Sequence, residues 1–106
     1  MKKLSDVVLK NGYTYTQIER GEKAVIYSQK PSDPEIIGSH EYFEVFRIKI
    51  SPAKTVFGVE LPEKEKFPSD EDFGKWAWSF VDYETAVDRF NLIENGQLEE
   101  ESDTSR

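Results

Sequence analysis

The stretch GKWAWSFVDYETAVDRFNLIEN, residues 74–95, decides the fold, because its hydrophobic pattern changes period once. Large residues first fall on every second position, which is the repeat of a β-strand with one aromatic face. The pattern therefore predicts a strand with Trp76, Trp78 and Phe80 on one face. After Asp82 the apolar residues are spaced by three and four, as on one side of a helix: Tyr83, Ala86, Val87, Phe90 and Ile93.

The predicted helix has a start signal and a stop signal. Asp82 is suited to cap the N-terminus, and Glu84 lies in the first turn, where the helix dipole favours an acidic residue. Asn95 and Gly96 form the C-terminal stop, so the helix is expected over Tyr83–Glu94. Both the helix and the aromatic strand need a cover for an apolar face, and the simplest packing places the helix on the sheet that contains this strand.

The residues before this stretch are mainly typical of strands. Residues 13–20 and 23–29 are separated by a short glycine-containing link, which predicts an antiparallel hairpin. Residues 41–50 form the longest strand signal, and apolar residues on both faces indicate a central position in the sheet. Residues 55–61 are expected to form a further strand with a bulge at Gly58.

These elements predict an α+β fold: an antiparallel sheet of four to five strands with one C-terminal amphipathic helix packed on one face. One domain is expected over residues 13–95, since 106 residues is the size of a single domain. A partly ordered segment, residues 1–12, precedes it. Residues 96–106 are expected to be a disordered acidic tail, because their low hydrophobicity cannot offset the entropy lost on ordering.

Composition excludes several kinds of site. The net charge is −7, of which −4 lies in residues 94–106, so no general nucleic-acid surface is expected, although a local basic patch is compatible with this balance. The chain contains no cysteine, which excludes disulfides and thiolate metal sites. No apolar run approaches a membrane span or a signal peptide, so we expect a cytoplasmic protein without a membrane partner. The six scattered glycines fit no phosphate-binding loop, and no cofactor is expected.

The two tryptophans are the strongest candidates for a binding surface. Trp76 and Trp78 either fill a core or form an exposed stacking platform, and the helix that follows favours the core because it needs a surface to cover. Tyr42 is a weaker candidate, since strand tyrosines commonly pack the ring at a sheet margin with the hydroxyl group in water.

His40 is a further weak candidate for the binding surface, and since it is the single histidine, any imidazole base or ligand must be this residue. It could act with an acid from Glu41 or Glu44, but no catalytic set is assembled in the sequence, and a surface histidine is the simpler interpretation. The acidic run at residues 70–72 lacks the spacing of a calcium loop and is better explained as the capped start of a helical turn. We therefore expect neither a catalytic site nor a metal site.

Three segments carry a resemblance to known sequences: FPSDEDFGKWAWSF, DYETAVDRF and EYFEVFRIKI. On these segments the chain resembles small uncharacterised proteins of bacterial genomes and their phages or other mobile elements. The resemblance covers the middle and the end of the chain and implies an accessory protein without a known activity or catalytic residue.

The leading hypothesis is a small non-enzymatic protein-interaction module with an unknown protein partner. One alternative is an acidic nucleic-acid mimic that inhibits a DNA-handling enzyme by occupying its basic cleft. Another is a ligand-binding sheet that uses Trp76 and Trp78. The oligomeric state is left open between a monomer and an edge-paired homodimer.

Overall fold

A computed structural model describes residues 2–33, 35 and 41–97. The predictions that concern His40 and residues 98–106 lie outside the described residues. The elements, in chain order, are β1 (Val7–Lys10), β2 (Tyr13–Arg20), β3 (Ala24–Pro31), β4 (Tyr42–Arg47), β5 (Ile50–Ser51), β6 (Lys54–Val56), β7 (Val59–Leu61), β8 (Lys64–Glu65), a 3-10 turn (Asp70–Asp72), β9 (Ala77–Phe80) and α1 (Tyr83–Glu94).

The main sheet has five antiparallel strands in the order β1, β2, β3, β4, β9. The predicted hairpin of β2 and β3 is confirmed, with one irregularity in its register between Gln17 and Glu19. The predicted central strand is also confirmed, because β4 lies between β3 and β9 and buries Val45 on one face and Phe46 on the other. Four residues of the N-terminal segment form β1, which pairs with β2 through a turn at Asn11 and Gly12, both at positive φ.

Helix α1 spans the predicted residues and packs on β3, β4 and β9. The Asp82 carboxylate caps it by accepting hydrogen bonds from the backbone N–H of Thr85 at 3.0 Å and from its hydroxyl group at 2.8 Å. Between the helix and the sheet lies a buried apolar cluster of five residues: Ala24, Ile26, Val45, Ala86 and Ile93. The α+β class with one C-terminal helix on an antiparallel sheet is therefore confirmed.

The opposite face of the sheet is covered by residues 66–76, which we call the cover segment. Its central side chain is Phe67, whose ring lies edge-on to the rings of Tyr15, Tyr27 and Phe46 at centroid distances of 5.2, 5.3 and 5.2 Å. The 3-10 turn in this segment is capped as expected, since Asp72 accepts hydrogen bonds from Ser69 N–H at 2.8 Å and from its hydroxyl group at 3.0 Å.

The predicted common face of the two tryptophans is wrong. Trp78 packs on the helix side of the sheet, whereas Trp76 packs with Phe46 on the covered side. The reason is that β9 begins only at Ala77, so Trp76 belongs to the preceding turn, in which Gly74 has φ +92°. Strand alternation therefore does not extend back to Trp76.

The single strand predicted over residues 55–61 is also wrong. The chain reverses at Phe57 and Gly58, with φ of 52° and 78°, and the flanking residues form the antiparallel pair β6 and β7. Positive φ at both central residues is the signature of the tight turn that joins two strands of a hairpin. Gly58 is therefore a turn residue and not a bulge.

Candidate functional site

Strands β5 to β8 form a two-stranded ribbon that extends from the main sheet. Near its base β5 pairs with β8, and towards its tip β6 pairs with β7. Pro52 and Pro62 stand between the two paired parts, and neither can donate a hydrogen bond across the ribbon. The ribbon is therefore one arm with an interrupted ladder, and its tip is the turn at Phe57 and Gly58.

An N-terminal arm, residues 2–5, lies beside the base of this ribbon. Its backbone bonds to β8 and its neighbour: Lys2 N–H donates to the Glu63 carbonyl at 3.3 Å, and Glu65 N–H donates to the Lys2 carbonyl at 2.8 Å. The Tyr27 hydroxyl group also donates to the Ser5 carbonyl at 2.6 Å. The two backbone bonds fix the arm along the edge of the ribbon, and the bond from Tyr27 joins it to β3 of the main sheet.

Glu65 is the polar centre of this junction. Its buried carboxylate accepts two hydrogen bonds from the Arg20 guanidinium, at 2.9 and 2.7 Å, and one from the Leu4 N–H at 2.9 Å. The hydrogen bonds from Arg20 in particular hold the pKa of Glu65 below its ordinary value. The carboxylate therefore stays charged and joins the N-terminal arm, the ribbon and β2.

A groove of about 640 Å³ lies between the N-terminal arm and the ribbon. Its apolar lining includes Leu4, Val8, Leu61 and Phe67. Five lysines also line it, and they come from both sides of the groove: Lys2, Lys3, Lys54, Lys64 and Lys66. We call this feature the lysine groove.

The lysine groove is a positively charged region of an acidic protein. Glu65 is the one carboxylate in its lining, and Arg20 already pairs with it. Within the described part of the chain, none of the five lysines forms an ion pair with an acidic side chain. The Lys66 ammonium group lies 5.5 Å from the centroid of the Trp76 ring, which is a cation–π contact and leaves its charge in place. The groove therefore retains a net positive field at its surface.

The ribbon beyond the groove carries several exposed apolar side chains. Phe57 at its tip is fully exposed, and Val59 is 58% exposed. Leu61, which also lines the groove, is 40% exposed and connects the apolar tip to the groove floor. Exposed apolar side chains that adjoin a rim of charges are typical of surfaces that bind a partner.

The residues predicted as a binding site do not form one surface. Trp76 is 5% exposed, with the Lys49 ammonium group 5.7 Å from its ring centroid. Trp78 is half-buried on the helix side, where the Arg89 guanidinium lies 4.6 Å from its ring centroid. Tyr42 is half-buried at the first position of β4, and His40 lies outside the described residues. An exposed platform made by both tryptophans is not present.

Glu44 is a buried acid, which the sequence indicates only as a candidate acidic partner of His40. It is 6% exposed on the covered face, and its Oε1 atom accepts no hydrogen bond from any described residue. Burial raises the pKa of Glu44 to about 7, although the charge of Lys10 acts in the opposite direction. The negative charge of Asp70 also raises the pKa of Glu44.

The described residues also bear on metal binding and on membrane insertion. No three acidic or histidine side chains in residues 2–33, 35 and 41–97 converge so that they could hold a metal ion. In the same part of the chain no helix is long and apolar enough to cross a membrane.

The sequence indicates the components of the lysine groove but not their assembly. Fifty or more residues of sequence separate Lys2 and Lys3 from the other three lysines, and Lys2 reaches Lys64 only because the N-terminal arm bridges to β8. The local signals were the paired lysines near the N-terminus and the alternating charges around residues 63–66.

The chain matches no protein-family model, no curated protein sequence and no solved structure.

Proposed function

We propose that the protein is a non-enzymatic protein-interaction module that contacts a partner protein through the ribbon tip and the lysine groove. The observation that carries this proposal is the exposure and the backbone conformation of Phe57. Its ring is fully exposed, and its backbone has the left-handed φ of 52°, which costs a non-glycine residue roughly 1 kcal/mol. A bulky aromatic residue at a strained, solvent-exposed turn contributes little to stability, so a contact role explains its presence better.

The surroundings of Phe57 support the same conclusion. Aromatic residues are enriched at the centres of protein interfaces, where they fill pockets of the partner. The exposed residues Val59 and Leu61 extend the apolar surface from the tip to the groove, and the lysines add a charged rim. The resemblance to small proteins of bacteria and mobile elements suggests an accessory role in the bacterial cytoplasm.

Site-specific photo-crosslinking tests the proposal. A benzoylphenylalanine placed at position 57 replaces one aromatic residue by another and reports on whatever contacts the ribbon tip. The matched control position is Val81, which is 70% exposed and apolar but lies directly after β9, away from the ribbon. Both variants are irradiated in lysate of the organism that encodes the chain, and crosslinked species are compared by mass.

We expect a discrete crosslinked partner from position 57 that is absent from position 81. The same bands from both positions, or none from either, would reject the ribbon tip as the contact surface. A third probe at Leu9, which is 73% exposed on β1, tests the edge-paired homodimer. β1 has no described strand on its outer side, so a dimer built on this edge would give a crosslink at twice the mass of the chain.

A further inference from the structure

We infer that the lysine groove binds an extended acidic segment of a partner protein that also carries a bulky apolar side chain. This inference rests on the proposed function, because it names the chemical class of partner for the same surface. The charge and the apolar lining of the groove support it, as do the outer edges of β6 and β7.

Charge complementarity favours an acidic occupant. Lys54 lies on the ribbon, Lys64 at its base and Lys2 on the N-terminal arm, so ammonium groups stand on both sides of the groove. None of these three lysines forms an ion pair with an acidic side chain of the described residues. Carboxylates that enter the groove meet several ammonium groups with one paired acid, Glu65, beneath them.

The apolar floor of the groove favours an occupant that carries an apolar side chain as well as negative charge. Leu4, Val8 and Phe67 are only half-buried, and Leu61 is exposed, so part of their apolar surface faces the groove. An occupant that covers this surface gains free energy from burial of the apolar area. A polar chain without an apolar side chain would leave the floor exposed to water.

The backbone of the ribbon favours an extended occupant. β6 and β7 pair only with each other among the described strands, so each has an outer edge without a strand partner. An extended peptide can add to such an edge through main-chain hydrogen bonds while its alternate side chains reach the groove. Lys54 of β6 and Leu61 of β7 are directly paired and both line the groove, which places charge and apolar surface side by side.

A nucleic acid is the competing polyanion, and the rest of the molecule disfavours it. A nucleic-acid strand carries regular charge well beyond a single groove and is bound by extended basic surfaces. This chain has a net charge of −7, and the ribbon itself carries Glu60 in β7 and Glu63 directly before β8. A short acidic segment meets the local positive field without extending over the acidic remainder of the surface.

The test is direct binding of a defined probe to the full chain. The probe is a fluorescein-labelled peptide of eight residues in which glutamates alternate with leucine and phenylalanine. A second peptide replaces each glutamate by glutamine, and a third replaces each apolar residue by glycine. Anisotropy titrations are run at about 0.05 M and about 0.5 M NaCl, since salt screens exposed charge pairs. A single-stranded oligonucleotide of equal charge serves as the competing ligand.

Two pairs of variants locate the binding. Lys54→Gln with Lys64→Gln removes two groove charges, and its control, Lys30→Gln with Lys75→Gln, removes the same charge from exposed sites outside the groove. Leu61→Ser removes apolar surface from the groove, and its control Leu92→Ser changes a leucine of similar exposure, 37% against 40%, on α1. Circular dichroism verifies that all variants are folded.

We expect the acidic apolar peptide to bind best, and its binding to weaken at high salt. The two groove substitutions of lysine should weaken it about fivefold to tenfold, and the control pair should leave it unchanged. Leu61→Ser should weaken it at both salt concentrations. Equal binding of the glutamine peptide, tighter binding of the oligonucleotide, or equal effects of groove and control variants would each overturn the inference.

The outcomes separate this inference from the proposed function. If position 57 yields a crosslinked partner but the acidic peptide does not bind, the interaction module stands and the acidic occupant is rejected. The chain itself contains an acidic run that begins with one leucine, LEEESDTSR at residues 98–106. A full-length variant with glutamine at positions 99–101 that binds the peptide more tightly would support the groove chemistry and identify this run as a competitor.

Discussion

Glu44 is the residue whose surroundings conflict most with its charge. Its carboxyl group lies on the covered face of the sheet, in the same row as Tyr27 and Ser79, and is almost completely removed from water. Burial without a full set of hydrogen bonds penalises the ionised form, which is why the pKa of Glu44 rises to about 7 from its ordinary 4.5. The folded protein therefore binds a proton here that the unfolded chain releases.

This difference in proton binding makes stability depend on pH. Between about pH 4.5 and pH 7 the folded state holds more protons than the unfolded state, so the free energy of unfolding falls as the pH rises and levels off above pH 7. We predict that Glu44→Gln, which has nearly the same shape and no charge, removes this dependence. At pH 8 it should stabilise the protein by about 1–3 kcal/mol, the upper limit being set by the pKa shift.

Urea unfolding at pH 5 and pH 8 measures this effect. Glu41→Gln is the control, because Glu41 is exposed and its ammonium partner Lys30 is 4.0 Å away. That substitution should change stability by less than about 0.5 kcal/mol at either pH. If Glu44→Gln kept the wild-type dependence on pH, another group would have to be its source.

Glu94 and Gly21 are in close contact where the end of α1 meets the β2–β3 turn. The Glu94 carboxylate accepts hydrogen bonds from the backbone N–H groups of Glu22, Lys23 and Ala24, at 3.1, 2.7 and 2.7 Å, and joins the end of α1 to the β2–β3 turn. A Cβ atom at Gly21 would overlap this carboxyl group. Position 21 therefore has no room for a side chain because of Glu94.

A double-mutant cycle tests this coupling. We predict that Glu94→Ala costs about 2 kcal/mol through the lost hydrogen bonds, and that Gly21→Ala costs about 1–3 kcal/mol in the wild-type chain. In the Glu94→Ala background Gly21→Ala should be nearly neutral, since the overlapping group is gone. Urea unfolding of the four chains should show a coupling of at least about 1 kcal/mol. Additive effects would mean that Gly21 is needed for its backbone alone.

Among the elements, those with complete local signals were predicted to the residue. Helix α1 has a cap, a periodic apolar face and a stop, and all three agree with the observed Tyr83–Glu94. The ribbon had a misleading signal, because its turn has phenylalanine where asparagine, aspartate or glycine is expected. A strand-forming residue in a turn position made two short strands look like one.

The N-cap of α1 gives the prediction at this scale. Asp82→Ala removes the acceptor for both hydrogen bonds from Thr85 and should destabilise the protein by about 1 kcal/mol. Asp88→Ala removes an exposed acid from the middle of the same helix and should change stability by less than about 0.5 kcal/mol. Thermal unfolding followed by circular dichroism compares the two. Equal losses would show that helix charge, and not capping, sets the stability.

At the scale of the whole molecule, long-range contacts determine the two features that the sequence does not reveal, the position of Trp76 and the lysine groove. The class of fold follows from the order of elements, whereas the position of Trp76 depends on a turn that ends just before β9. The lysine groove depends on the pairing of Lys2 with Lys64, and no local pattern reveals such a contact. The candidate site was therefore missed for a physical reason: its charges converge only after the sheet, the ribbon and the N-terminal arm have assembled.

The two sides of the sheet are built from the same two strands. β3 and β4 direct Tyr27 and Phe46 towards the cover segment, and their neighbours Ile26 and Val45 towards α1. Loss of packing on one side should therefore reduce the stability of the other side equally. Each side contains one tryptophan, so the two can be observed separately: Trp76 on the covered side and Trp78 on the helix side.

We predict that Phe67→Ala lowers the free energy of unfolding by about 2–4 kcal/mol, because Phe67 contacts three aromatic rings of the covered face. The variant is made in two backgrounds, Trp78→Phe and Trp76→Phe, so that fluorescence reports one side at a time. Both urea curves should shift by the same free energy. Phe57→Ala, the same change at a fully exposed ring, should shift neither. A shift seen only by Trp76 would show that the cover segment unfolds by itself and that the sheet with α1 is the cooperative unit.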